Sequence, residues 1–333
     1  LMNIDAILEK KTYRSIIFYV FLALILVFNS FYIPYGVRAR SFIFSLMPVF
    51  ILYLMTYQLN TKKMLNIGLY LLLALFLIYD IIGIVGALFQ FDYFFNVIPN
   101  VLIDNYRYSS MLTNPNAFGE FAFIGLWIST FFLLKSNKNT VRVVFFTAII
   151  ISVGALLVSM SRSAIFMSAI LYLMLLIFSK LLDRKLKIVI YSSFVMLVLL
   201  IIALAIFKFE FFLDFFRLGQ GLTDRDSIWI FMVDEIKEHW FLGIGFGNLS
   251  MYIAMQERFL VSSAHNLYLS LLLEMGIFSF LLVILHLLYK IINAMNFIKY
   301  TVKYKVELFW ITSFLIAFLF GQFFETSFLV IGP

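Results

Sequence analysis

The chain has 333 residues, of which 64% are hydrophobic and only 13% charged, with a formal net charge of +7. A soluble domain is about a quarter charged, so this composition excludes a water-soluble globular protein and points to a polytopic membrane protein. In that class the positive balance reports membrane orientation rather than nucleic-acid binding, and the absence of cysteine excludes disulfides and thiolate metal sites.

The expected fold is an all-α polytopic membrane protein, a single transmembrane domain over 1–333. Crossing the hydrocarbon core takes ~20 apolar residues. On that criterion the chain holds about nine or more spans, near 16–32, 41–58, 64–89, 116–134, 141–160, 163–180, 186–207, 265–289 and 306–325. The first run is too long for a cleavable signal and lacks a small-residue cleavage site. One long polar interval, the loop 208–264, interrupts the hydrophobic sequence.

Lys and Arg set the orientation. With a cytoplasmic N-terminus, 16 of the 25 basic residues fall on inner segments and nine on outer ones, and five of those nine lie in the long loop. Seven of the outer nine are Arg, including Arg38, Arg40, Arg107, Arg162, Arg217 and Arg225, against three of the inner 16. Lysine suffices as an anchor, whereas the guanidinium fork grips phosphate bidentately. The even-numbered spans then run from outside to inside, with N–H groups and positive dipole ends facing outward. Basic residues there are unfavourable unless an anion is present. The alternative is that these arginines snorkel to lipid phosphates, the preferred reading for Arg38 and Arg40.

In chain order, Asp80 in the third span reads as a structural polar contact, with Gly83 and Gly86 allowing a neighbouring helix to approach. LTNPNAFGEF opens the fourth span, with Asn114 as N-cap and Pro115 at the first helical position. Glu120, an intramembrane acid, is either a functional residue or a structural partner for an Arg. SMSRSA joins spans five and six with almost no loop, pinning Arg162 at the surface with Ser161 or Ser163 as cap; a lone Arg there can also be a plain interfacial anchor.

The outer loop starts with a Phe-rich stretch suited to the interface. Thr223 and Asp226 form a partial capping box, and Trp229, Met232, Val233, Ile236 and Trp240 recur at helical spacing. This predicts an amphipathic lid helix over 224–240. Gly243, Gly245 and Gly247 lack the βαβ context of a nucleotide fingerprint and read as a tight turn. Asp224 and Asp226 are explained more simply by capping than by a metal. His265 opens the eighth span and can exchange a proton near neutral pH, or act only as an interfacial residue. Glu274 lies on roughly the opposite face of that helix. His239 and His286 read as structural.

NPN, SRSA, DRDSIW, GIGFG and HNLYLSLLLEMG, in this order over about 110–280, resemble the O-antigen ligase and Wzy-type polysaccharide polymerase superfamily. The resemblance implies a metal-independent, cofactor-free glycosyltransferase of GT-C type that uses undecaprenyl-pyrophosphate-linked glycans. It implies that Arg162 and Arg225 hold the pyrophosphate and that His265 activates the acceptor hydroxyl. Arg107, Asn116, Glu120, Arg217, Asn266 and Glu274 complete the set expected to contact substrate. Where the family often has Pro before the glycines, this chain has Trp240, Phe241 and Leu242, and it has fewer spans than typical members.

The expected function is polymerisation of lipid-linked repeat units at the outer face of the cell membrane. The alternatives are a ligase delivering finished polysaccharide to a lipid, protein or wall acceptor, and a flippase for the same lipid-linked glycan. Expected partners are the glycan donor and acceptor, membrane lipid and a flippase or chain-length regulator, with no nucleic acid. A flippase needs a polar path across the bilayer and usually internal repeats; here polar residues gather on the outer side and no repeat is visible.

Overall fold

The computed structural model describes residues 17–18, 20–28, 62–89, 93–94, 98–99, 102–103, 107–112, 114–177, 191, 195, 225–254, 264–300 and 305–324. These residues are almost entirely helical. Beyond helical residues at 17–18 and 20–28, the helices are α1 (Lys62–Phe89), α2 (Pro115–Lys135), α3 (Asn139–Ser159), α4 (Arg162–Ile177), α5 (Arg225–His239), α6 (Leu249–Ala254), α7 (Leu267–Tyr300) and α8 (Lys305–Gly321). Two minimal antiparallel pairs lie between α1 and α2: β1 (Tyr93–Phe94) with β2 (Ile98–Pro99), and β3 (Leu102–Ile103) with β4 (Arg107–Tyr108).

Among the described residues, four helical segments are long and apolar enough to cross a membrane: Asn66–Phe89, Pro115–Lys135, Asn139–Ser159 and Leu267–Ile298. Arg162–Leu176 and Val306–Gly321 are shorter apolar helices. The expected span at 41–58 lies outside the described residues, as does 186–207 apart from helical residues 191 and 195. The eighth span is the one that differs from expectation. Its helix does not stop at 289 but runs to Tyr300, and it is broken at Gly276 (φ 69, ψ 172). That conformation is open essentially to glycine alone. At 1.5 Å per residue the part after the break, 277–300, is roughly 36 Å long and by itself long enough to span ~30 Å of hydrocarbon.

The chain divides into two compact units. One comprises 67–223 and 290–322. Its core packs α2 against α3, α4 and α8, with Phe118, Phe123, Leu126, Ile128, Met167 and Leu171 fully buried. Small residues permit close approach, the usual device between helices in lipid. Gly83 faces the ring of Phe118, Gly119 faces Ser159 and Ser161, and Gly125 faces Ser152 and Asp80. Asp80 is buried and accepts a hydrogen bond from Ser152 Oγ (2.8 Å), the structural contact expected for it. Trp127 of α2 and Trp310 of α8 stack with ring centroids 3.7 Å apart, and each indole N–H donates to the other's carbonyl (3.3 and 3.0 Å).

The other unit comprises 1–66, 224–289 and 323–333. It holds two apolar clusters. Ile228, Met232, Ile244, Leu249, Ile253, Ala264 and Leu273 form one. Leu22, Leu26, Phe246, Leu267, Leu271 and Met275 form the other. His286 stacks on Phe18, centroids 3.6 Å apart.

The reciprocal indole pair gives a direct test. Trp310→Phe keeps a ring to stack and removes the donor, and should cost about 0.6 kcal/mol, typical of one interhelical hydrogen bond in a bilayer. Trp310→Ala also empties a buried ring site and should cost about 3–5 kcal/mol. Thermal unfolding of the two variants in detergent measures the difference.

Candidate functional site

The candidate residues fall into two groups, one in each unit. In the unit built on α2 to α4, Asn114 caps α2 as expected: its side chain accepts from Asn116 N (2.8 Å), and Pro115 takes the first helical position. Asn116 Oδ1 accepts from Arg107 Nη2 (2.5 Å). Arg107 Nε donates to the carbonyl of Ser159, the last residue of α3, at 3.2 Å. Arg107 and Asn116 are thus brought together, and both are tied to the turn that precedes Arg162.

That turn is tight. Met160 is left-handed (φ 48, ψ 32). Ser161 N donates to Ser159 Oγ (3.2 Å), and Ser161 Oγ meets Ser163 Oγ (3.2 Å). Ser161 Oγ also accepts a long bond from Ala164 N (3.5 Å), so of the two expected caps Ser161 is the one used. Arg162 is the first residue of α4 and is partly exposed. Glu120, one turn into α2, is buried.

In the other unit, the apolar face expected for the helix at 224–240 holds at Met232 and Ile236 and is corrected at Val233 and Trp240. α5 covers Arg225–His239, but its buried positions are Ile228 and Met232. Val233 and Trp240, expected on the apolar side, are 43% and 53% exposed. Residues 228–233 are all apolar (Ile-Trp-Ile-Phe-Met-Val), so periodicity does not single out a face. Packing on Ile244, Leu249, Ile253 and Leu273 decides it instead. Trp229 lies beside that stripe and donates its indole N–H to the Ala264 carbonyl (2.8 Å). Arg225, the first residue of α5, donates from Nη1 to the Phe324 carbonyl (2.6 Å). The capping group Thr223 and Asp224 lies outside the described residues, as do the Asp226 side chain and Arg217.

Ala264 leads into His265, which is left-handed (φ 48) and partly exposed. Asn266 follows as the cap of α7: its Oδ1 accepts from Tyr268 N and Leu269 N (3.0 and 3.1 Å). Glu274 is buried, and its Oε1 accepts from Leu249 N (2.8 Å), capping α6. Its carbonyl accepts from Gly245 N (3.0 Å). The glycine run is therefore a turn fastened to the α7 break. Ile244 N donates to Leu273 O (2.9 Å), and Ile277 N to Trp240 O (2.8 Å). A Cβ on Gly243 would come within 2.6 Å of the Leu273 and Glu274 carbonyls, and one on Gly276 would overlap the Phe241 carbonyl oxygen.

Three non-glycine residues among those described have positive φ: Ser110, Met160 and His265. Each is itself a candidate site residue or lies within three positions of one. Such strain persists only where the surroundings over-determine it, and it gathers at functional sites. The only sequence signal for it was the lack of loop at SMSR. Gly276 was missed because an isolated glycine inside a long apolar run reads as tolerated.

Glu235, Glu238 and His239, at the end of α5, have ligand atoms within 4.8 Å of one another, close enough to share an ion. Glu235 there accepts from the Tyr252 hydroxyl. Burial, with the carboxylates of Glu235 and Glu238, pushes the Tyr252 phenol above its ordinary range. None of the expected site residues belongs to this group.

Residues 146–284 match the family model described as O-antigen ligase. The match bears out the resemblance to the O-antigen ligase and Wzy-type polymerase superfamily. The matched segment contains Arg162, Arg225, His265, Asn266 and Glu274, and the apolar helices indicate a membrane protein. No curated protein matches the chain.

The fastened break predicts a graded response. Glu274→Gln keeps an acceptor for Leu249 N and should be close to neutral. Glu274→Ala leaves that buried N–H unpaired and should cost about 1–3 kcal/mol. Gly276→Ala should cost more than Glu274→Ala, because a side chain is both strained at this φ/ψ and blocked by the Phe241 carbonyl. Unfolding midpoints in detergent rank the three.

Proposed function

We propose that the chain is a metal-independent glycosyltransferase acting at the outer face of the cell membrane. It lengthens surface polysaccharide by moving a growing glycan from undecaprenyl pyrophosphate onto the next lipid-linked repeat unit. One observation carries the reading. The three basic residues inside the family match that the resemblance singles out all lie at helix starts: Arg162 at the first position of α4, Arg225 at the first position of α5, and His265 two residues before α7. For the two arginines, a positive side chain at a positive dipole end is unfavourable unless an anion is present. A pyrophosphate is such an anion.

In this reading Arg162 and Arg225 bind the donor pyrophosphate and offset the charge that grows on it as the glycosidic bond to phosphate breaks. His265 accepts the proton of the acceptor hydroxyl, whose oxygen forms the new bond to the anomeric carbon. Undecaprenyl pyrophosphate departs, and a single displacement inverts that carbon. Arg217 and Glu120 contribute to substrate binding. Asn266 and Glu274 hold the backbone that carries His265 and the neighbouring turn. The second reading, transfer of finished polysaccharide to a lipid, protein or wall acceptor, is favoured by the ligase description of the matched family.

Purified protein given synthetic lipid-pyrophosphate repeat units should yield longer glycans, and EDTA should leave the yield unchanged. His265→Ala and Arg162→Ala should each lose about 100-fold or more in rate, in the range seen for loss of one general base or one charge-stabilising donor. Full activity in both variants would sink the assignment. Glycan appearing only on an added non-repeat acceptor would select the ligase.

A further inference from the structure

Arg107 is only 8% exposed, and the bonds that hold it go to two different elements. Nη2 reaches Asn116 Oδ1 in the first turn of α2 (2.5 Å), and Nε reaches the Ser159 carbonyl at the end of α3 (3.2 Å). A terminal helix carbonyl has no intrahelical donor, so at Ser159 the guanidinium supplies one. The next residue, Met160, is left-handed, and two residues further on Arg162 opens α4. Gly119 of α2 lies against the same turn, where any Cβ would press on Ser159 Oγ and Ser161 Oγ (2.8 and 3.0 Å). A planar fork can bridge two acceptors on separate elements; a lysine ammonium, a single point on a flexible stem, is a poor substitute.

We propose that Arg107 is a positioning residue. It locks the Ser159–Met160–Ser161 turn and through it sets where the Arg162 guanidinium stands, and it does not itself grip the donor. The catalytic part of this inference rests on the proposed role of Arg162 at the pyrophosphate; the conformational part does not. A displacement on the order of 1 Å at a catalytic group can cost 100-fold in rate, so a residue one layer back can matter as much as one in contact.

Two measurements on the full chain test it. The first is a kinetic cycle with synthetic lipid-pyrophosphate units. Arg107→Ala should lower kcat about 10- to 100-fold with little change in donor KM, and Arg107→Lys should not rescue it. Asn116→Ala should lower kcat by a smaller factor in the same direction. The double variant Arg107→Ala/Arg162→Ala should be no slower than Arg162→Ala alone. A raised donor KM restored by lysine, or losses that multiply in the double variant, would overturn the positioning role in favour of direct contact. The second measurement needs no activity. The chain has no cysteine, so Arg162→Cys gives a single spin-label site. The label should become more mobile when Arg107→Ala is added, while the rest of the protein keeps its unfolding midpoint to within a few degrees. An unchanged spectrum would overturn the proposal. If Arg162→Ala were fully active while the label still loosened, the functional reading would fail and the turn lock would stand.

Discussion

Much of the described unit that carries α5, α6 and the start of α7 depends on one interruption, the break of α7 at Gly276. Backbone donors and acceptors inside or beside a bilayer must find partners within the protein. An unbroken helix would pair Ile277 N with Leu273 O. Here Ile277 N turns to Trp240 O, and the carbonyls of Leu273 and Glu274 take Ile244 N and Gly245 N. The 240–245 segment therefore replaces, bond for bond, the helical partners the break removes. Glycines stand where the two backbones touch, because a Cβ at 243 or 276 would occupy the space of a carbonyl oxygen. Glu274 adds a third tie through its carboxylate at the start of α6.

The break also explains how so short a piece of helix organises its surroundings. Residues 267–275 rise only ~13 Å, yet they present apolar side chains to two clusters. Leu273 packs with Ile228, Met232 and Ile253, while Leu267, Leu271 and Met275, spaced by four, pack with Leu22, Leu26 and Phe246. Had the helix run straight through Gly276, the turn at 240–245 would have no carbonyls to hold, and Asn248 and Leu249 would lose the anchor that starts α6. Just before this piece of helix, His265 is left-handed and is followed at once by the cap Asn266. Its position is fixed from both sides: by the Ala264 carbonyl bonded to Trp229 before it, and by the capped helix after it.

Sequence patterning revealed the membrane class, most helix starts and the two caps Asn114 and Ser161, because each rests on a local rule: twenty apolar residues, Asn before Pro, Ser at a helix entry. It also recognised the glycine run as a turn. On α5 it placed Met232 and Ile236 correctly but also chose Val233 and Trp240, which are exposed, since six consecutive apolar residues leave no periodicity to read and the face is chosen by Leu273 and Ile244, which are remote in sequence. It missed the break for a related reason. Gly276 is followed by an apolar run that would form a helix either way, and what favours the break is a set of donors some 30 residues upstream. The Arg107 bonds were equally hidden, because Ser159 lies 52 positions away.

The motifs that carry the family resemblance thus separate by physical task. In NPN the first Asn caps a helix, and the second receives Arg107. In SRSA the first Ser caps α4, in HNLY the Asn caps α7, and in LLLEMG the Glu caps α6 while the Gly makes the break. All of these serve the backbone, and any chemistry that needs this scaffold would need them. Arg162, Arg225 and His265 belong to the same motifs, and each stands at or just before a helix start. Arg225 Nη1 donates to the Phe324 carbonyl, one use of the five donors a guanidinium carries. The arginines at two of these starts stand where helix dipoles disfavour a cation. Under the proposed function, a pyrophosphate donor offsets that cost at Arg162 and Arg225.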